Sequence, residues 1–193
     1  FPVGDSFLEI LQPERPEAPT MKFLQKQGGP AGYMLILQVD DLEKARARVD
    51  AMNIRVAWDM EVAVRHGVNV GALHLHPSDT RGPLTSLDWV EDWDDWAWAG
   101  AAWKWHRRTD VVSGISAVEV SSSDPCGVAA RFVQLLGKEV SDDCSIALEE
   151  TSIRFAQAPS GTRDRLTGID MTSSDRSRVG ESYEFARTLV RLV

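Results

Sequence analysis

Three stretches of the chain repeat one pattern, in which an alternating strand runs into an aspartate placed to cap a helix. Asp41 follows "YMLILQVD", Asp124 follows "GISAVEVSSS", and Asp175 follows "LTGIDMTSS". A carboxylate at such a position accepts hydrogen bonds from the free amides of the first helical turn. The recurrence predicts a fold built from repeated units, each beginning with a strand and a capped helix.

The first of these units is complete in its sequence signals. After the capping aspartate, Leu42, Ala45, Val49 and Met52 fall at helical spacing, and Asn53 is placed to end the helix. Three strand-like pieces follow, "IRVAWDMEVAV", "VGALHLHP" and "GPLTSLDWV". The pattern predicts a β-α-β-β-β unit.

The later units are shorter. Pro125 opens a helix that Gly137 ends, and "CSIALEE" with "TSIRFAQAP" predicts a hairpin. After Asp175 the helical stripe is missing, and "YEFARTLVRLV" predicts two strands joined at Arg187 and Thr188. Alternating strands with few helices predict an α+β fold that contains a degenerate second half.

The chain opens with a segment that carries an acid among apolar neighbours. Residues 6–12 alternate as a strand that is apolar on both faces, Pro13 ends it, and Glu9 lies within it. "FPVGD" ahead of it resembles the end of an earlier strand and a turn, so we expect the first module to be truncated. Gly28 ends a short helix in "TMKFLQKQGG".

Composition narrows the classes of function. A net charge of -8 and a pI near 5.0 disfavour binding to nucleic acid or to an anionic membrane surface. No apolar run approaches the roughly 20 residues of a membrane span. Cys126 and Cys144 lack CxxC spacing, so we expect no disulfide scaffold and take the reducing cytoplasm as the default location.

Six of the seven tryptophans lie in "WVEDWDDWAWAGAAWKW", between Trp89 and Trp105. Their apolar area is too large to leave in water, and the neighbouring aspartates are wrong for a membrane anchor. Period-two spacing predicts a short hairpin or two extended arms at the seam between two halves. Trp96 and Trp98 are candidates to line a ligand cavity, and a dimer contact is the alternative.

The stretches from "GDSFLEILQP" to "LEKARARV", followed by "ALHLHPSDTRGPLTSLDW", resemble the vicinal oxygen chelate superfamily. This superfamily includes glyoxalase I, extradiol dioxygenases and bleomycin-resistance proteins, and the similarity is greatest to its methylmalonyl-CoA epimerase-like branch. The resemblance implies tandem β-α-β-β-β modules whose curled mixed sheets form cups. It also implies a divalent ion that stabilises an enediolate while a carboxylate moves a proton.

The ligand positions that the resemblance implies are mostly filled by other residues. Glu9 matches a ligand carboxylate, but Met34 stands where epimerases carry histidine and Ser86 where glutamate is expected. The corresponding positions of the second half hold Ala117, Phe155 and Gly168. Because a thioether is a poor partner for hard cations, we expect no metal and no other cofactor unless further ligands precede Phe1.

Other side chains are candidates for a ligand site. Glu119 and Asp170 share a face with two of the empty positions, so they form either a polar cup floor or part of a solvated face. His74 and His76 alternate on one strand and are candidates for rim or ligand contacts. Tyr33 is a candidate phenol at the cup mouth.

We therefore expect two domains, residues 1–90 and 113–193, joined by a Trp-rich connector over 91–112. The ligand cup is predicted to be lined by Glu9, Met34, Ile36 and Ser86. Either Glu9 moves a proton next to a carbonyl or thioester, or the cup sequesters a hydrophobic compound, with Glu9 a relic. A catalytically inactive dimerisation scaffold is the third alternative, and a homodimer is expected as the partner.

Overall fold

The computed structural model describes residues 1–193, which form two separate sheets and a short N-terminal hairpin. The helices are α1 Pro19–Gln27, α2 Leu42–Ala51, α3 Pro77–Thr80 and α4 Pro125–Leu136. The first strands are β1 Pro2–Val3, β2 Ser6–Phe7, β3 Met34–Gln38, β4 Val56–Arg65, β5 Val68–Leu75 and β6 Leu84–Val90. The later strands are β7 Val112–Ser122, β8 Ser145–Ala147, β9 Ser152–Gln157, β10 Arg165–Ser173, β11 Ser182–Phe185 and β12 Thr188–Leu192.

The four-stranded sheet is the predicted β-α-β-β-β unit. Its strand order is β3-β6-β5-β4, with β3 parallel to β6 and the other pairs antiparallel. Asp41 caps α2 by accepting the Lys44 amide at 2.9 Å, and Leu42, Ala45 and Val49 are buried. The capping and the apolar spacing that predicted this helix are both confirmed.

The six-stranded sheet joins two shorter units in the order β11-β12-β10-β7-β9-β8. In each unit the first strand pairs in parallel with a later one, β7 with β9 and β10 with β12, as β3 does with β6. Asp124 caps α4 through the Gly127 amide at 3.2 Å, whereas Asp175 caps only a 3₁₀ turn over Arg176–Arg178. The segment after Asp175 therefore lacks the α-helix that follows Asp41 and Asp124.

One hydrophobic core lies between the two sheets. The apolar faces of α2 and α4 pack there against one face of each sheet, and Phe132 and Phe155 meet with ring centres 5.3 Å apart. The Arg48 guanidinium on α2 donates to the Leu135 carbonyl on α4 at 2.8 Å. Because both helices cover the inner faces, the opposite face of each sheet is left for other roles. We call these the outer faces.

The predicted strand over residues 6–12 is wrong beyond Phe7. Ile10 and Leu11 are each 56% exposed, and Glu9 is exposed as well. A strand needs a hydrogen-bonded neighbour, but β2 pairs only with β1, and β3 is an edge strand that pairs only with β6. The hairpin instead packs on the six-stranded sheet through Val3.

The Trp-rich stretch forms neither a hairpin nor extended arms. It contains two 3₁₀ helices, Ala97–Ala99 and Trp103–His106, separated at Gly100, whose positive φ of 86° turns the chain. Trp103 is buried against Phe7 at 5.0 Å between ring centres, whereas Trp105 is 87% exposed. Backbone hydrogen bonds within these turns, such as that from the Ala99 amide to the Trp96 carbonyl at 3.0 Å, take the place of strand pairing.

Cys126 and Cys144 form a disulfide, contrary to the expectation from their spacing. The bond joins the first turn of α4 to the residue before β8, across a sequence separation of 18. Packing of β8 and β9 against α4 brings the two Cα atoms to within 5.0 Å of each other. The spacing of the cysteines in the sequence does not reveal this proximity. None of the helices is long and apolar enough to cross a membrane.

Candidate functional site

The outer face of the four-stranded sheet aligns several predicted site residues in one row. Cross-strand pairing places Ile36 opposite Ser86, Ser86 opposite His74, and His74 opposite Trp58. An irregularity in β4 between Val56 and Trp58 shifts the register so that the indole meets the imidazole. Their ring centres are 4.5 Å apart in an edge-on arrangement.

A hollow of about 410 Å³ opens over this row, and we call it the Trp-lined hollow. Its volume lies within the range of small-molecule sites, roughly 300–1,000 Å³. Burial lowers the pKa of His74, which favours the neutral imidazole. The lining residues are Glu9, Leu11, Thr20, Tyr33, Met34, Ile36, Trp58, His74, Leu84, Asp88, Trp96 and Trp98.

Asp88 is the most strongly perturbed group of the hollow. It is 5% exposed and forms no salt bridge with a lysine or arginine, and the Ser86 hydroxyl donates to its Oδ1. The pKa of Asp88 is raised to about 6, chiefly by burial and also by the negative charge of Glu9, while the Ser86 hydrogen bond opposes the rise. A carboxyl with a pKa near neutrality can both accept and return a proton.

Asp88 and Trp58 were not among the site residues predicted from the sequence. Asp88 follows Ser86 by two residues, so strand alternation puts both on one face, and a charge inside the apolar strand "LTSLDWV" was an available signal. Trp58 carried no comparable signal, because its position depends on the irregularity in β4.

Most of the predicted site residues lie together here, and four do not line the hollow: His76, Ser86, Glu119 and Asp170. Glu9 lies at its exposed side. Ser86 is fully buried and contacts Asp88 instead of lining the hollow. The predicted site residues found in the lining are Glu9, Tyr33, Met34, Ile36, His74, Trp96 and Trp98.

His76 lies beyond the end of β5 and does not share the environment of His74. Its Nδ1 lies 3.3 Å from the Ser78 amide at the start of α3 and 3.3 Å from the Arg55 guanidinium. Arg55 also holds Asp79 and lowers the pKa of that carboxyl through hydrogen bonds. His76 is therefore part of a helix start, which a period-two pattern could not show.

Glu119 and Asp170 meet on the outer face of the six-stranded sheet, in an ion network with two arginines. Asp170 accepts from Arg154 at 2.6 Å and from Arg191 at 2.8 Å, and Arg191 also donates to Glu119 at 2.9 Å. Burial alone would raise the pKa of Asp170, but the two arginines outweigh it and the pKa is lowered. Gly168 leaves room for Arg191, since an added Cβ would lie 2.9 Å from its guanidinium.

The metal-ligand positions implied by the family resemblance do not fit a hard divalent ion. Met34 and Ser86 offer a thioether and a hydroxyl, Ala117 and Gly168 offer no donor, and Phe155 lies in the core. No group of three histidine, cysteine, aspartate or glutamate side chains is placed to hold a metal ion.

A larger cleft of about 1600 Å³ adjoins the hollow. It runs between the N-terminal segment, α1, the free edge of β3 and the six-stranded sheet, and most of its lining residues are apolar. Tyr33 stands between the two spaces, with its ring edge-on to Phe23 at 4.8 Å, and burial raises its pKa. Glu9 and Trp96 line both spaces.

The comparisons with known proteins define the fold. No protein-family model and no curated protein matches the chain. A hypothetical protein from Staphylococcus aureus is similar in structure, with 12% identity, a TM-score of 0.66, and coverage of 91% of this chain and 70% of the other. The Mn(II)-bound glyoxalase from Novosphingobium aromaticivorans is also similar, with 17% identity, a TM-score of 0.50, and coverage of 74% and 46%.

These likenesses establish an α+β fold with curled mixed sheets of the glyoxalase type, as predicted. The chain spans less than half of the glyoxalase it matches. At such low identity the likeness extends to the fold and not to the activity. The epimerase-like branch is not distinguished from its relatives.

Proposed function

We propose that this glyoxalase-like protein binds a small organic molecule in the Trp-lined hollow. The observation that carries the proposal is a concave, largely apolar space with three indoles on its wall and one buried carboxyl, Asp88, beside it. Small-molecule sites combine apolar walls with a few polar groups in this way. Sequestration of a hydrophobic compound, one of the functions expected from the sequence, requires no further feature of the site.

A fluorescence titration of the 193-residue chain tests the proposal, because Trp58, Trp96 and Trp98 line the hollow. Aromatic metabolites, acyl-CoA thioesters and amines form the test set. We expect saturable quenching that Trp58→Leu weakens about tenfold. Trp105→Leu is the matched control, because Trp105 is 87% exposed and outside the hollow. Equal loss in both variants, or no saturable ligand, would reject the proposal.

A second candidate function is metal-independent proton transfer at a carbon next to a carbonyl. It is supported by Asp88, which lines the hollow and whose pKa is raised to about 6, so that its carboxyl can exchange a proton near neutral pH. Asp88 takes the role of base, and the more exposed Glu9 would exchange protons with water. The sequence alone had predicted Glu9 as the group that transfers the proton.

Exchange of substrate hydrogen for solvent deuterium tests proton transfer directly. Ligands found in the titration are incubated in D₂O and examined by NMR. If Asp88 is the base, Asp88→Asn stops exchange while the ligand still binds, and Glu9→Gln only slows it. Exchange that survives in Asp88→Asn would assign the base elsewhere, and no exchange in the wild type would leave binding as the function.

We propose the division into residues 1–90, a connector over 91–112 and residues 113–193. It is supported by the strands of each sheet, which come from residues 34–90 and 112–192. The hairpin β1–β2 packs on the second sheet, so the division follows the sheets and not every contact.

The expectation of a cytoplasmic location depended on unpaired cysteines, and the Cys126–Cys144 bond removes that support.

A further inference from the structure

The charges around the Trp-lined hollow are all of one sign. Two carboxyl groups, Glu9 and Asp88, line it, and no lysine or arginine does. The one histidine of the lining, His74, has a pKa lowered by burial and carries no charge at neutral pH. The hollow therefore presents negative charge that no basic side chain of its lining compensates.

The aromatic walls favour the same kind of ligand. Trp58, Trp96 and Trp98 surround the hollow, and the face of an indole carries a negative electrostatic potential that attracts cations. Trp98 already attracts one cation of the chain, because the Arg65 guanidinium carbon lies 5.0 Å from its ring centre. Arg65 is exposed and does not line the hollow.

We propose that the ligand of the Trp-lined hollow is an organic cation, a substituted amine or quaternary ammonium attached to a flat or compact apolar body. The inference rests on the proposed function and specifies its ligand class. Indole faces stabilise the cationic head, Asp88 and Glu9 supply the opposite charge, and the apolar lining of Met34 and Ile36 takes the body. Anionic compounds, including acyl-CoA thioesters, face unfavourable charge at this site.

The experiment compares two probes of nearly identical shape, benzyltrimethylammonium and its neutral carbon analogue neopentylbenzene. Binding to the full chain is measured by tryptophan quenching and by calorimetry. We expect the cation to bind about tenfold more tightly than the neutral analogue, which corresponds to the strength of a partly desolvated cation–π contact. A benzylphosphonate serves as the anionic probe and should not bind.

The variants separate the contribution of charge from that of shape. Asp88→Asn should remove most of the preference for the cation and leave affinity for neopentylbenzene unchanged. Glu9→Gln, at an exposed position that tolerates substitution, should reduce the preference by a smaller factor. Asp142→Asn is the matched control, because Asp142 is an exposed acid outside the hollow, and should change nothing.

The outcomes distinguish this inference from the proposed function. Equal or tighter binding of neopentylbenzene or benzylphosphonate, weakened by Trp58→Leu, would overturn the cation preference and keep the hollow as a binding site. A preference that survives both Asp88→Asn and Glu9→Gln would also overturn it. If no probe and no compound of the wider set quenches the indoles, both proposals fail.

Discussion

The outer faces of the two sheets present similar acids in opposite surroundings. On the six-stranded sheet, Asp170 and Glu119 are bound by Arg154 and Arg191, so their charges are compensated. On the four-stranded sheet, Asp88 is bound only by the Ser86 hydroxyl and faces indoles and a second acid. The difference shows that the capacity of a buried carboxyl to exchange a proton depends on its partners and not on its burial alone.

The largest expected effect comes from breaking the compensated network. Asp170→Asn leaves the two guanidinium groups of Arg154 and Arg191 without their shared carboxylate, so we expect unfolding free energy to fall by about 3 kcal/mol. Urea denaturation at neutral pH measures the change. The double variant Asp170→Asn with Arg154→Met should recover part of the loss, because it removes one of the unpaired charges. Two additive losses would show that the pair does not act as a network.

Asp88, which has no cationic partner, should lower the stability of the folded chain at neutral pH, whereas Asp170 should raise it. The pKa of Asp88 is about 6 in the folded chain, against about 4 when unfolded, so the folded state binds more protons between these values. Stability from this group therefore falls as pH rises from about 4 to about 6, by about 3 kcal/mol. Asp88→Asn should lack this loss and be more stable than wild type at pH 7. The difference between their denaturation curves across pH isolates the group, and a wild type equal to the variant at every pH would contradict it.

A smaller effect is expected at Glu119, which shares Arg191 with Asp170. Its side chain is 20% exposed, and Thr167 donates to Oε1 at 3.1 Å. Glu119→Gln keeps the shape and the threonine contact, so we expect a loss of about 1 kcal/mol in urea denaturation. A loss as large as that of Asp170→Asn would mean that the two acids are equivalent.

The smallest effect on stability belongs to Glu9. It is exposed, so Glu9→Gln should change unfolding free energy by less than about 0.5 kcal/mol. It should nevertheless lower the pKa of Asp88, because the negative charge of Glu9 contributes to raising it. NMR titration of the Asp88 carboxyl carbon measures this shift. An unchanged Asp88 titration would show that the two acids are not coupled.

Much of the fold was predictable because its signals are local. Asp41 and Asp124 cap helices through amides within three residues, and Gly137 ends α4 in a left-handed conformation. The 3₁₀ turn after Asp175 and the turn near Arg187 are likewise set by neighbouring residues. Failures came where structure depends on a distant partner, as at residues 8–12, which have no strand to pair with.

The candidate site was predicted in part for the same reason. Strand alternation correctly grouped Met34, Ile36 and His74 on one face, because a strand fixes which side chains share a side. It also put Glu119 and Asp170 on a common face, but their arginines come from β9 and β12. The choice between a polar cup floor and a solvated face required those partners.

The sequence by itself determined the strand and helix signals with their aspartate caps, the α+β class and the alternation of faces, since these follow from contacts between near neighbours in the chain. Only the tertiary structure decided that the cysteines bond, that Trp58 meets His74, and that Asp88 has no cationic partner while Asp170 has two. The pKa of a carboxyl and the contents of a hollow depend on groups brought together from distant parts of the chain. Folding alone fixes those distances.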